Sequence, residues 1–587
     1  MALNMAKNNS SKKISRRKFL KISTLATAGF LTGFPTIQAS TPTAELILIN
    51  GKIITVDVKG SIMEGVAVRG GKIIDTGIVD KISKYIGTQT KVIDLKGKTV
   101  TPGLIDSHAH LPPFGLRESR WVKLQGMETK EEILEALAQR ARITPAGTFI
   151  NAWGVESLSL SFMDKRDLDK VTSRHPLLVV HTGGQWGFAN SLALKIAGID
   201  GNTMSPPGSK VEMTLFRKEP TGLLVHYPAL YLVRKHIPIM SDDDARASIR
   251  HAAELYVQEG VTTIHDNFFM VTEIGATQFI SAYIDLAQTK TLPTRIKLWP
   301  YLPNLKVATL VMNDLFSGKE PMTDSPVREL SVLRKHMSGL FAEMWGGLKI
   351  AIDGAGATSL WYNNQRALPL HSTADLKAMV TLFHRGDQQV SVHAIGDEAV
   401  DLFLDLVETA QKDHRRNDAR HRIEHALCPQ SASLERMKRL GVVVSTHPQW
   451  IYSWADKWRM KNRAMAIPLN SYLKEGIPVA FGADPPAFPL YQPQIALWQA
   501  IKRTTKEGSR FDSSESISIQ EALKMQTMGS AYSGFQEREI GSIEIGKLAD
   551  MVVWDRDYYS VSKDEIKDVK ALMTFVGGKI VYEKKSS

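Results

Sequence analysis

Eight short apolar runs, separated by helical patterns, constrain this chain more than any other feature. They are GLIDSHAH (103–110), GVTTIHDN (260–267), TRIKLWPY (294–301), GLKIAID (347–353), QVSVHAIGD (389–397), RIEHA (422–426), GVVVSTHPQ (441–449) and IPVAFGADP (477–485). Amphipathic stretches such as DDDARASIRHAAELYVQEG and SASLERMKRLG lie between several of them. Alternation of this kind is the pattern of β/α units around a parallel sheet, and eight units predict an α/β fold of the (β/α)8 TIM-barrel type. Both ends of the chain have a different texture. ELILINGKIITVD, EGVAVRGGKIIDTG and TKVIDLKGKTVTPG near the start, and GSIEIGKLADMVVWD and VKALMTFVGGKIVYE near the end, read as short antiparallel strands with Gly-rich turns. Neither end has enough strands for a sandwich by itself. The expected organisation is therefore a composite β-sandwich domain from 44–102 and 541–585, with a barrel over 103–540. The stretch from about 112 to 240 is then a folded insertion after the first strand.

Polar residues fall at the ends of these runs, where barrel chemistry is done. The first ends in His108 and His110, the fourth carries Lys349 and ends in Asp353, the fifth carries His393, the sixth His425 and the eighth Asp484. His108 and His110 differ by two, so on a strand both point to one face. Each histidine taken alone reads first as a hydrogen-bonded core residue. Together, several imidazoles and a carboxylate form a credible site for zinc or a similar ion, with nitrogen ligands at about 2.0–2.1 Å. Iron, manganese and cobalt suit the same donors.

TPGLIDSHAHL, GLKIAIDGA, VHAIGDEA, RIEHA, FGADPP and GSIEIGKLADMVVWD, taken as a set, resemble the amidohydrolase superfamily of metal-dependent hydrolases. The long insertion, with NSLAL, PTG and HAIGDEA, is similar to its amidohydrolase-3, YtcJ-like branch, which includes N-substituted formamide deformylase. The resemblance covers about 44–585. It implies that His108 and His110 hold the more buried ion. It implies that Lys349 is carried as a carbamate bridging two ions, and that His393 and His425 hold the second. Asp484 is implied as a ligand of the first ion and as the proton shuttle. The implied reaction is attack of metal-activated hydroxide on a small amide, formamide or cyclic amide, breaking a C–N bond other than a peptide bond. A mononuclear deaminase releasing ammonia is the alternative within enzymes, and a non-catalytic ligand-binding barrel is the alternative outside them.

Lys349 needs a reason to be buried, because an unpaired charge inside a protein is costly. Carbamylation is one. The other is an ion pair with Asp353, but four residues along a strand span roughly 13 Å at about 3.3 Å each, so direct contact is not expected. His265, Asp266 and His447 also end strands and are candidates to touch substrate or to brace the ligands. Trp450, Trp454 and Trp458 recur every four residues. They read as helix packing or, led by Trp450, as an aromatic wall for substrate. HTGGQWGFANS within the insertion is a candidate lid or a set of turns. No Walker loop, dinucleotide fingerprint or nucleophile elbow is evident, which leaves phosphoryl, hydride and serine-ester chemistry without support.

The formal charge of +12 raises the question of nucleic acid. Lys7, Lys12, Lys13, Arg16, Arg17, Lys18 and Lys21 lie before residue 44 with no acidic residue among them, and setting those seven aside leaves +5. No basic stripe with interleaved aromatics follows, so nucleic acid is not an expected partner. SRRKFLK followed by ISTLATAGFLTGF instead reads over 1–43 as a twin-arginine signal segment, with cleavage near Ala39. It implies the twin-arginine export machinery as a partner and a periplasmic or otherwise exported location. The single cysteine, Cys428, rules out an internal disulfide. The other expected partner is the small amide-like substrate; assembly into a homo-oligomer is left open.

Overall fold

The eight apolar runs form the central strands of the protein. In the computed structural model they are β1 (Leu104–Ala109), β2 (Val261–Asp266), β3 (Arg295–Leu298), β4 (Leu348–Ala351), β5 (Val390–Ala394), β6 (Arg422–His425), β7 (Val443–Thr446) and β8 (Val479–Phe481). The structure describes residues 43–585 except 156–162, 185, 207, 217, 268–275, 303, 317–342, 354–360, 362–370, 456–466 and 488–489. The twin-arginine stretch before residue 43 and Trp458 lie outside the described residues.

The strands are mostly parallel and the fold is mixed α/β. β1, β2 and β3 form one parallel sheet in the order β3-β2-β1, and β4 to β8 form a second, neighbours pairing in chain order. Parallel bridges Leu298↔Trp345 and Tyr301↔Lys349 link the β3 side to the β4 side. The chain just after β8 is bonded back to β1, through Asp484 N to His108 O at 2.7 Å and His110 N to Pro485 O at 3.0 Å. Every residue of β1, β2, β4, β6, β7 and β8 is buried. That is why these segments read as continuous apolar runs and not as alternating ones: strands covered on both faces have no solvent side.

The helices between them cover the sheets with one face. Asp242–Gln258 buries Ala245, Ile249, Ala252, Ala253, Tyr256 and Val257, a stripe at three- and four-residue spacing. Ser241 caps it, its side chain accepting from Asp244 N, and Asp242, Asp243 and Asp244 place negative charge at the positive end of the helix dipole. Ser431–Leu440 stops at Gly441, whose φ of +64° few other residues adopt readily.

Strands from the two chain ends share one sheet. Thr99–Pro102 pairs antiparallel with Met551–Trp554, which pairs with Ala571–Val576, and that strand pairs with Lys579–Glu583. Buried Trp554 reaches across the pairing to donate its indole N–H to Thr101 Oγ1 at 2.8 Å. The expected strand texture over 541–550 is corrected: those residues form turns and the single bridge Lys72↔Leu548. Between β1 and Asp242 the chain builds a six-stranded sheet of its own, in the order 210–213, 220–225, 186–189, 177–181, 150–155 and 122–123. It has its own apolar cores around Leu137, Val179 and Phe188 and around Leu178, Leu224 and Leu230.

Candidate metal centre

β1 delivers two imidazoles to one carboxylate. His108 Nε2 lies 3.5 Å and His110 Nε2 3.2 Å from Asp484 Oδ1. The other ring nitrogen of each is tied outside the cluster. His108 Nδ1 lies 2.6 Å from Glu424 Oε2, and His110 Nδ1 lies 2.8 Å from the carbonyl oxygen of Asn267. A carbonyl can only accept, so His110 carries its proton on Nδ1 and turns a lone pair inward. Burial, reinforced by the charge of Lys349, holds the His108 pKa well below its ordinary value, so that ring is neutral at pH 7 and donates Nδ1–H to Glu424. Three possible ligand atoms therefore meet. Such a set fits a divalent cation, and imidazole plus carboxylate is the donor chemistry of zinc and its neighbours.

A second convergence lies beside the first. His425 Nε2 is 2.8 Å from His393 Nδ1, and His425 Nδ1 is 2.9 Å from His447 Nε2. His447 Nδ1 faces the Gly482 carbonyl at 2.9 Å, so that nitrogen holds the His447 proton. His425 must then donate from Nδ1 to His447, leaving its Nε2 lone pair towards His393. The His393 Nε2 edge lies 3.9 Å from Asp353 Oδ1. Burial pushes the His393, His425 and His447 pKa values down, which favours the neutral rings.

Distance alone also groups His108, His425 and His447 as a possible ligand triad. As the rings stand, the lone pair of His447 is engaged by His425 and that of His425 by His393, so an ion held by either ring would displace one of these bonds. His447, for which contact with substrate and bracing of the ligands were both open, sits fully buried between Gly482 and His425. Trp450, 3% exposed, stacks on both rings, 4.5 Å from His447 at 24° and 5.1 Å from His425 at 21°. It forms a wall that fixes their planes.

Lys349 projects from β4 with its Nζ buried and with no hydrogen-bond partner among the described residues. Burial pulls its pKa down to about 8. Asp353 is occupied elsewhere, accepting from Ile395 N at 3.0 Å and Gly396 N at 2.9 Å, so it is not paired with Lys349. His265 is packed against Trp299, with Nε2 3.0 Å from Gln536 Oε1 and Nδ1 3.3 Å from Arg422. Asp266 accepts from Leu111 N at 3.2 Å and from the Tyr283 hydroxyl. Both are fully buried in the scaffold.

Sequence reasoning missed Glu424 and Arg422. Arg422 Nε donates to Glu424 Oε1 at 2.8 Å, its Nη2 donates to the Ser107 carbonyl at 2.6 Å, and its guanidinium lies 4.5 Å over the Trp299 ring. Ser391 donates to the same carboxylate at 2.6 Å. Burial works to raise the Glu424 pKa, but the charges of Arg422 and Lys349 and the Ser391 bond outweigh it and hold the carboxyl ionised. The available signal was two charged residues within one apolar run, since such groups are rarely fully buried unless paired.

Fold and site together define a mixed α/β protein with a buried histidine–aspartate centre suited to a divalent ion. The Amidohydrolase family model matches residues 91–582, and the chain belongs to that family of hydrolases acting on carbon–nitrogen bonds. It is 31% identical to Protein LONG AFTER FAR-RED 3 of Arabidopsis thaliana, over 93% of this chain and 94% of that one. It is 26% identical to the N-substituted formamide deformylase of Arthrobacter pascens, over 92% and 99%. A crystal structure of an uncharacterized metal-dependent hydrolase from Pyrococcus horikoshii OT3 superposes with a TM-score of 0.67 at 22% identity, covering 88% of this chain and 99% of that one.

Two outcomes follow. The pKa values of His108, His265, His393, His421, His425 and His447 are lowered on folding, so the unfolded chain takes up protons first as pH falls below 6.5. Each costs up to about 1.4 kcal/mol per pH unit. Asp106 and Asp353, raised to about 7, bind protons first in the folded state and act in the opposite sense. The six histidines outweigh the two aspartates, so urea midpoints measured between pH 6.5 and about pH 5 should fall with pH. Separately, Glu424→Gln removes the anion that fixes the His108 proton. Zinc affinity, measured by competition with a chelator, should drop roughly 10- to 100-fold with the circular dichroism spectrum retained.

Proposed function

We propose that this protein is a metal-dependent amidohydrolase that cleaves the C–N bond of a small amide, formamide or cyclic amide. The observation that carries the reading is the meeting of His108 Nε2, His110 Nε2 and Asp484 Oδ1, with both histidine protons held on the outer nitrogens. His108, His110 and Asp484 would hold one ion, and His393 and His425, with Lys349 as its carbamate, a second. A divalent ion bound there supplies Lewis acidity, lowering the pKa of water and polarising a substrate carbonyl. Asp484 takes a proton from the attacking water as the C–O bond forms at the carbonyl carbon. It then delivers that proton to the leaving nitrogen as the C–N bond breaks, giving a carboxylic acid and an amine. Glu424 holds the His108 proton on Nδ1 and keeps the ring oriented while this charge moves. Trp450 screens the His425–His447 pair from water.

The same reading takes the two parallel sheets as one closed (β/α)8 barrel. The bridges at Tyr301 and the bonds between Asp484 and His108 support this. It takes 44–102 with 541–585 as the composite β-domain, and about 112–240 as an insertion in the barrel of 103–540. The likeness to a formamide deformylase over nearly the whole chain supports formamides as the first substrates to try. The Lys349 amine, with no hydrogen-bond partner among the described residues, also allows a second reading. If that amine stays unmodified, a site with one ion that releases ammonia fits better.

Asp484→Asn should lower kcat on a panel of amides and formamides by roughly 10²- to 10⁴-fold while bound zinc, counted by elemental analysis, stays near the wild-type level. Unchanged turnover would remove Asp484 from the chemistry. Intact mass should show one added carbon dioxide, lost in Lys349→Ala; an unmodified lysine together with ammonia release would favour the deaminase. Export rests on Arg16 and Arg17, and replacing both with lysine should leave the protein in the cytoplasmic fraction.

A further inference from the structure

Asp484 stands in a short loop that is held from two sides. On one side lies β1: Ala483 N donates to Asp106 Oδ1 at 3.1 Å, Asp484 N to His108 O at 2.7 Å, and Pro485 O accepts from His110 N at 3.0 Å. On the other side every donor comes from the segment that follows β1. The Pro486 carbonyl accepts from Arg117 Nη1 at 3.0 Å, Gln125 Nε2 at 3.2 Å and Trp153 Nε1 at 3.2 Å. The Ala487 carbonyl accepts from Thr182 Oγ1 at 2.6 Å. Asp484 itself has a φ of +57°, a region in which an aspartate is strained and which persists only where the surroundings enforce it.

The grip is more than the peptide group needs. A carbonyl oxygen has two lone pairs, and here three side chains converge on one. Trp153 is 7% exposed, its ring stacked on Trp121 at 5.5 Å and 20°, and its single N–H is shared between Pro486 O and Thr182 O at 3.1 Å. Arg117 is 2% exposed and its charge is met by Glu118 at 2.7 Å. Groups this rigid transmit position, not merely solvation.

We propose that Trp153, assisted by Gln125, Arg117 and Thr182, is a positioning residue for Asp484, so that the inserted sheet sets where the proton-transferring carboxylate stands. This rests on the reading of Asp484 given above. Loss of one donor leaves the Pro486 carbonyl bonded, so the fold survives while the loop loosens.

The test uses Trp153→Phe, which keeps the stacked ring and deletes the N–H, and Thr182→Val, which keeps the shape and deletes the hydroxyl. Each is made in the full chain, alone and with Asp484→Asn. Amide hydrogen exchange at Ala483, Asp484 and Ala487 should quicken in both variants, and faster still in the double variant, with the circular dichroism spectrum and zinc content unchanged. Hydrolysis of a simple N-alkylformamide should lose roughly ten- to hundredfold in kcat with KM nearly constant. In the Asp484→Asn background, Trp153→Phe should add no further loss, because it acts through that carboxylate. Unchanged exchange, or a full additional loss in that background, overturns the proposal. Retained activity in Asp484→Asn alone would instead overturn the role of Asp484, and the exchange rates would still judge the clasp.

Discussion

One buried carboxylate holds the centre together. Glu424 has no exposed surface, and an ion removed from water costs several kcal/mol unless its partners replace the hydration shell. Here Arg422, Ser391 and His108 do so, at 2.8, 2.6 and 2.6 Å. Because Glu424 stays ionised, the His108 proton remains on Nδ1 and Nε2 is free to face Asp484. Because Arg422 also reaches the Ser107 carbonyl and lies over Trp299, the same charge ties β6 to β1. The protonation of the donor set and the packing of the strands therefore have one electrostatic origin.

Around that origin the parts of the chain divide the work. The parallel strands bring the imidazoles inward. Gly482 allows the turn after β8 to lie against β1, since a Cβ there would meet His108 Cβ at 2.6 Å. The inserted sheet clasps the Asp484 loop from the far side. His425 and Asp484, with φ of +80° and +57°, are both held in conformations that unconstrained residues avoid.

Much of this was readable residue by residue. The eight runs became eight strands with their ends trimmed, because complete burial leaves an apolar signature that survives without any context. His108 and His110 were readable as a pair, since strand side chains repeat every second residue. Glu424 was passed over because RIEHA drew attention to its histidine, although a carboxylate in so short a buried strand is itself a sign of function. His265-Asp266 looks like His108-Ala109-His110 on paper. It ends in the scaffold because Gln536, far away in sequence, and Tyr283, in the helix that follows, occupy its polar atoms. His447 was readable as either a substrate contact or a brace, and the choice depends on which ring nitrogen faces Gly482.

The sequence by itself determined the types of the elements, the inventory of donors and the basic character of the N-terminal segment, all of which follow from local periodicity and residue chemistry. The tertiary structure alone decided which donors meet and which nitrogen of each ring keeps its proton. Those outcomes depend on contacts between residues hundreds of positions apart, such as His108 with Glu424 and with Asp484, and Trp153 with Pro486. Strand register and close packing set such contacts to within a fraction of an ångström, and no local pattern encodes them.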